Sequence, residues 1–202
     1  MNKLDGSPLT MTGVAAERVT VRQVRYHGWP ECLLLSNGLV EAVVVPAISR
    51  VMRFGLVEEK EEVFWQNRKL DGQLPTPASK EWFNPGGDKC WPAPQSDWSA
   101  QTSREWPPPA AFDALPAEAA LVEQGVVLTS PVDPDYGIQI IRTILLDPVL
   151  PVMRITTEYR KFHGPEVTVG IWTITQLREP EAILLWLPET SSFPDGYLSL
   201  LA

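Results

Sequence analysis

Residues 32–45 read CLLLSNGLVEAVVV, two apolar runs separated by Asn37-Gly38. An Asn-Gly pair between such runs is the strongest short signal for a β-hairpin, because a type I′ turn needs a positive φ at both central residues. Pro46 follows the second run and ends it, since proline cannot donate a hydrogen bond within a sheet. This stretch therefore predicts a β-hairpin and favours an all-β fold for the chain.

The segments on both sides of the hairpin carry further strand signals. Residues 18–26 alternate in polarity, and the runs at 51–57 and 62–66 form a pair across a charged turn. After a long interval the pattern resumes as a meander with Asp, Pro and Gly turns, in runs at 123–129, 137–146, 152–159, 166–177 and 182–187. This spacing predicts roughly nine or ten strands in an all-β antiparallel sandwich.

The domain organisation follows from the interruptions in this pattern. We interpret residues 1–17 as a flexible N-terminal tail, and residues 18–202 as a single β-sandwich domain with a long Trp/Pro-rich loop at about 67–116. The one helix candidate, residues 110–121, is interrupted by Pro116. The chain ends on PDGYLSLLA, an apolar run that a domain seldom leaves at its end, so we expect the sandwich to be C-terminally incomplete.

The composition argues against several classes of protein. A net charge of −8, with no run of Lys or Arg, is unfavourable for binding nucleic acid. Two isolated cysteines, Cys32 and Cys90, provide neither a disulfide framework nor a zinc site. Since no signal peptide, membrane span or phosphate-binding loop is evident, we expect a cytoplasmic protein without a cofactor or metal. The oligomeric state stays open.

The long loop contains the most unusual segment, residues 81–106, EWFNPGGDKCWPAPQSDWSAQTSREW. It holds four of the eight tryptophans, Trp82, Trp91, Trp98 and Trp106. Indole faces stack on the C–H faces of sugars, while nearby polar groups pair with the hydroxyls, so the segment is typical of a carbohydrate site. Indole is also usually well buried, and the same rings would serve to pack the loop onto a core. The sequence leaves both interpretations open.

Other residues are candidates for contact with a ligand. The run at 166–177 places Trp172 and Gln176 on one face of a strand, which suits a ligand-facing sheet, although Trp172 packed under the loop gives the same pattern. Arg50 and Arg53 flank the start of the run at 51–57, and one of them could present its rigid fork to a carboxylate or a sugar hydroxyl, with a surface salt bridge as the alternative. Of the two, Arg53 is the predicted sugar-binding residue. The remaining predicted sugar-binding residues are Asp88, Lys89 and Trp91.

Histidine is the natural candidate for proton transfer near neutral pH. His27, in YHGWPE, lies beside Trp29 and Glu31 and is the candidate catalytic residue. His163, in KFHGPE, also precedes a glycine and is interpreted as an exposed loop residue.

The order of these segments resembles a known superfamily. Gly28-Trp29, the hairpin, SRVMRFG (49–55), FNPGGDKCWPAPQ (83–95), GIQIIRTILLD (137–147) and the meander to IWTITQL (171–177) are similar to an uncharacterised domain family, itself similar to the galactose mutarotase (aldose 1-epimerase) superfamily. The piece GGDKCWPAPQ is the most specific. The resemblance implies a β-supersandwich with a carbohydrate-binding concave face.

The resemblance also implies where catalytic residues would lie. In the mutarotases a histidine on a late strand acts as general acid and a glutamate further along acts as base. The corresponding strand here resembles that strand but carries Trp172 and Gln176 without a histidine, and the base would lie beyond Ala202.

Three hypotheses for function follow. The first is a carbohydrate-binding, mutarotase-like domain that need not be catalytic. The second is an aldose 1-epimerase-like sugar isomerase that uses His27. The third is a structural or interaction β-domain with buried tryptophans and no small-molecule ligand.

Overall fold

The computed structural model describes residues 18–59, 62–102 and 104–179, together with residues 182, 184, 189 and 190. The predicted tail, most of the predicted strand at 182–187, and the chain end lie outside the described residues. The strands are β1 (Thr20–Tyr26), β2 (Trp29–Ser36), β3 (Val40–Val45), β4 (Arg50–Leu56), β5 (Asp88–Ala93), β6 (Glu118–Val122), β7 (Gly125–Thr129), β8 (Ile138–Leu146), β9 (Met153–Lys161) and β10 (Gly170–Thr175). The α-helices are α1 (Trp98–Gln101) and α2 (Ala110–Asp113).

The strands form two antiparallel sheets, which confirms the predicted all-β sandwich. One sheet has the order β1-β2-β3-β4-β5-β10, and the other has the order β6-β7-β8-β9. Between them, Val44 and Val51 of the larger sheet pack in one cluster with Ile144 and Leu146 of β8. Alternation along β8 explains this core, because Ile138, Ile140, Arg142, Ile144 and Leu146 are all buried while the residues between them are only half-buried. No helix among the described residues is long and apolar enough to cross a membrane.

The hairpin of β2 and β3 forms as predicted, but the predicted type I′ turn is wrong. Gly38 has a positive φ of +87°, whereas Asn37 does not have one. Asn37 instead accepts hydrogen bonds at Oδ1 from the N–H groups of Leu39 and Val40, each at 2.9 Å. Its Nδ2 donates to the carbonyl oxygen of Asp147 at 2.7 Å, so the turn is also attached to the β8–β9 connection.

β5 lies inside the segment that the sequence predicts to be a long loop. All residues from Asp88 to Pro92 are buried, so the strand shows no alternation of polarity for a sequence pattern to reveal. Pro92 is tolerated because its carbonyl oxygen accepts from Trp98 Nε1 and therefore points away from the paired strand β10. A residue's N–H and C=O lie on the same side of a strand, so the missing N–H removes no bond to β10.

The predicted helix at 110–121 is also corrected by the structure. Only α2 forms, and residues 118–122 belong to β6, which pairs with β7. Pro116 separates the two, because a helix continuing through it would lose a hydrogen bond and clash with the preceding turn.

Two glycines allow the chain to enter β5. Gly86 and Gly87 have φ of +99° and +74°, in the region that favours glycine. A Cβ on Gly86 would overlap the carbonyl oxygen of Trp65, and one on Gly87 would overlap that of Val51. The GG pair therefore lets β5 pass between two stretches of neighbouring backbone.

Substitution of Gly86 should destabilise the fold far more than substitution of Gly38 in the hairpin. We expect Gly86→Ala to lower the free energy of unfolding by at least about 2 kcal/mol, because a backbone overlap adds to the cost of a left-handed residue. Gly38→Ala is the matched control, since Gly38 has a similar φ with nothing within 4 Å of its Cβ position. Its loss should be about 1 kcal/mol in urea unfolding. Equal losses in the two variants would contradict the close approach.

Candidate functional site

Four tryptophans from residues 82–106 and Trp172 of the distant strand β10 meet around β5. Trp91 lies at the centre, with ring centroids 5.5 Å from Trp82, 5.8 Å from Trp98, 5.9 Å from Trp106 and 5.5 Å from Trp172. All four contacts are edge-to-face, the arrangement that the indole quadrupole favours. We call these five residues the indole cluster.

The indole cluster has a packed interior and an open rim. Trp98 is fully buried and Trp91 is 4% exposed, whereas Trp106 is 39% exposed and Trp172 is 38% exposed. Trp172 lies directly opposite Trp91 in the β5–β10 register. We call the exposed rings of Trp106 and Trp172 the indole face. The inner rings are thus packed within the protein, whereas the outer rings leave part of their surface open to solvent.

A buried carboxylate fixes the orientation of the inner rings. Asp113 of α2 accepts from the indole N–H groups of Trp82 and Trp91, each at 2.9 Å. It also accepts from Arg50 Nη2 at 2.6 Å, and Arg50 donates in addition to the carbonyl oxygen of Gly86 at 3.0 Å. Both partners of the ion pair are nearly inaccessible to solvent, so each neutralises the other's buried charge.

Lys89 lies against the same rings. Its Nζ is 5.2 Å from the ring centroid of Trp82 and 5.0 Å from that of Trp91, and it donates to Gln176 Oε1 at 2.9 Å. The side chain is 1% exposed. Burial first, and then the charge of Arg50, lowers the pKa of Lys89 to about 7. The charges of Asp113 and Asp88 act in the opposite direction and limit this lowering.

The lowered pKa of Lys89 makes the free energy of unfolding depend on pH. In the unfolded chain Lys89 keeps its proton up to its ordinary pKa of 10.5, whereas the folded chain releases it near pH 7. Between these values the unfolded state binds more protons, so raising the pH stabilises the fold by up to about 1.4 kcal/mol per pH unit. We expect this slope in urea unfolding from pH 7 upwards to be reduced in Lys89→Met and kept in Lys69→Met, a control at an exposed lysine. Identical slopes in Lys89→Met and wild type would contradict the assignment.

Asp88 lies on the opposite face of β5 from Lys89 and Trp91, as alternation requires. Its carboxylate accepts from Arg142 of β8 and from the Thr175 hydroxyl, the latter at 2.6 Å. The structure therefore places Asp88 between the two sheets, away from the indole face.

The structure does not bring Arg53 and His27 to the indole cluster either. Arg53 forms ion pairs with Glu62 at 3.3 Å and with Glu41 at 3.9 Å. His27 occupies a turn with φ of +44°, and its Nδ1 lies 3.7 Å from Asp71 Oδ2. Burial, followed by the charge of Arg68, lowers the pKa of His27.

Sequence reasoning missed Asp113, which holds the inner rings in place. The available signal was weak: Asp113 is a single acid in the apolar run AAFDAL, and Arg50 is a single base between the apolar runs VVVPAIS and VM. Opposite charges in two apolar segments are the pattern expected of a buried ion pair. Among the described residues, no cluster of His, Cys, Asp and Glu is suited to hold a metal.

A groove lies elsewhere on the structure, away from the indole cluster. It has a volume of about 820 Å³ and opens between Phe54, Trp65 and Leu177, at the end of the sandwich near Pro151. It adjoins the breaks in the described chain at 60–61 and 180–181, so its walls are described only in part.

Comparisons with models of known protein families, with curated proteins and with solved structures found no match to this chain. The similarity to the mutarotase superfamily therefore stays a prediction from the sequence.

Proposed function

We propose that this protein binds carbohydrate on the indole face, with Trp106 and Trp172 as the stacking surfaces. The observation that carries the proposal is that both rings are more than one third exposed and yet held by contacts with the buried Trp91. A ring fixed in advance loses little conformational freedom when a ligand stacks on it. The Lys89 amine lies 5.0 Å from the ring centroid of Trp91 and donates to the Gln176 amide, and we assign these two polar groups to the hydroxyls of the sugar.

The shape of the surface sets the expected affinity. Trp106 and Trp172 are each more than one third exposed, so the face is open to solvent rather than enclosed. An open face buries little of a single sugar ring, and we expect dissociation constants in the millimolar range for monosaccharides. Oligosaccharides that contact both exposed rings should bind more tightly.

Calorimetric titration with a panel of mono- and oligosaccharides tests the proposal. Trp172→Ala and Trp106→Ala should each weaken binding about tenfold or more, in line with a stacking contact of about 1–3 kcal/mol. Trp65→Ala is the matched control, because Trp65 is also 39% exposed but has no ring contact with the indole cluster. Absence of binding by the wild type at millimolar sugar would remove the proposal and favour the structural-domain hypothesis.

The epimerase hypothesis stays a prediction from the sequence. Its candidate, His27, has Tyr26, Asp71 and Arg68 as neighbours rather than the exposed indoles. Polarimetry of an aldose in the presence of the protein and of His27→Ala tests it directly.

A further inference from the structure

The charges around the indole cluster do not balance in pairs. Arg50 is paired with Asp113, and Arg142 is paired with Asp88. Lys89 has no carboxylate within ion-pair distance among the described residues, and its one hydrogen-bond partner is the neutral amide of Gln176. Within the described part of the chain, Lys89 is therefore an amine without a paired counter-charge, and Asp113 and Asp88 favour its protonated form only from beyond ion-pair distance.

The surroundings of Lys89 make its protonated form unfavourable in the absence of a paired negative group. The side chain is 1% exposed, and burial together with Arg50 works against its protonated form. A negative group beside Nζ would reverse that balance, because an opposite charge within about 4–6 Å favours the charged form. The Gln176 oxygen, at 2.9 Å, already occupies the position of an acceptor for Nζ.

We propose that the carbohydrate ligand is an acidic sugar, a hexuronate, whose carboxylate replaces the Gln176 oxygen as the partner of Lys89. This inference rests on the proposed function, since the same sugar ring stacks on the indole face. Gln176 is half-buried and directly follows β10, and the proposal requires its side chain to rotate away from Nζ when the carboxylate binds.

A single ammonium suits a carboxylate better than a phosphate. Lys89 provides one charge and a point-like donor, whereas a phosphate dianion brings nearly two charges and three acceptor oxygens. The net charge of −8 on the chain adds to the cost of bringing a dianion to this surface.

The test compares methyl glucuronide with methyl glucoside by calorimetry at about pH 6 and about pH 8.5. At the lower pH, where Lys89 is protonated, we expect the wild type to prefer the glucuronide about tenfold or more. At the higher pH binding must also return a proton to the amine, so the preference should fall about tenfold or more. In Lys89→Met the ratio of the two affinities should approach one at both pH values, while Lys69→Met should keep the wild-type ratio.

The outcomes separate the two proposals. Equal affinity of the wild type for both glycosides at the lower pH would overturn the hexuronate assignment and leave carbohydrate binding in place. Binding of neither glycoside would overturn the proposed function itself. Tighter binding of glucose 6-phosphate than of the glucuronide would overturn the choice of a carboxylate. Even if Lys89→Met does not fold, the pH dependence of the ratio of glucuronide to glucoside affinity in the wild type tests the hexuronate assignment.

Discussion

Replacing Asp113 with alanine is expected to lower the free energy of unfolding by about 3–5 kcal/mol. The change leaves Arg50, 1% exposed, without its counter-charge, and it leaves the indole N–H groups of Trp82 and Trp91 without their acceptor. A buried donor that loses its partner keeps its full desolvation cost. Urea unfolding followed by circular dichroism measures the loss.

Two control variants define what the carboxylate contributes. Asp113→Asn keeps one oxygen acceptor but removes the charge, so we expect an intermediate loss of about 1–3 kcal/mol. Asp135→Ala removes an exposed carboxylate from the β7–β8 connection and should change stability by less than about 0.5 kcal/mol. A loss below about 1 kcal/mol in Asp113→Ala would show that the ion pair does not hold the inner rings.

Replacing Arg142 with methionine should have an effect of similar size at the interface of the two sheets. Arg142 of β8 donates to the carboxylate of Asp88 and, at 3.2 Å, to its carbonyl oxygen. Without it, the carboxylate of Asp88, a residue only 3% exposed, keeps a single partner among the described residues, the Thr175 hydroxyl. We expect a loss of about 3–5 kcal/mol in urea unfolding, because an uncompensated buried charge remains.

A second substitution tests whether the unpaired charge is the cause. In Arg142→Met combined with Asp88→Asn no buried charge is left, so the double variant should be more stable than Arg142→Met by about 1–3 kcal/mol. Two losses that simply add would instead indicate that the two side chains act independently.

Part of the fold could be predicted from the sequence because burial alternates along strands such as β8 and β9. The alternation in β8 and the hairpin around Asn37-Gly38 are local signals, and both elements form. β5 could not be predicted this way, since DKCWP is buried throughout and contains a proline. The conformation of the hairpin turn also depends on a distant partner, because Asn37 donates across to Asp147.

The candidate site was predicted in part. Composition pointed to the tryptophans, and alternation correctly placed Trp172 and Gln176 on one face of β10, where Trp172 meets Trp91 and Gln176 meets Lys89. The pairing of β5 with β10 joins segments about eighty residues apart, and no local pattern specifies it. For the same reason the sequence did not show that Arg50, rather than Arg53, reaches the cluster.

The lowered pKa of Lys89 could also not be predicted from the sequence. A lysine in GGDKCWPAPQ reads as an ordinary cation, and its lowered pKa arises only from burial and the approach of Arg50 in the folded chain. Tertiary packing thus converts a common residue into an amine that titrates near neutral pH.

The indole N–H resonances of the protein provide the most direct test of the central claim, that exposed rings of the cluster receive a sugar. In a titration followed by ¹⁵N–¹H correlation NMR, the signals of Trp106 and Trp172 should shift in a saturable manner. The signal of Trp29, which is fully buried and donates to the Gln73 carbonyl at 2.7 Å, should stay in place. Stationary signals for both Trp106 and Trp172 at saturating sugar, or shifts confined to Trp65 outside the cluster, would contradict the account.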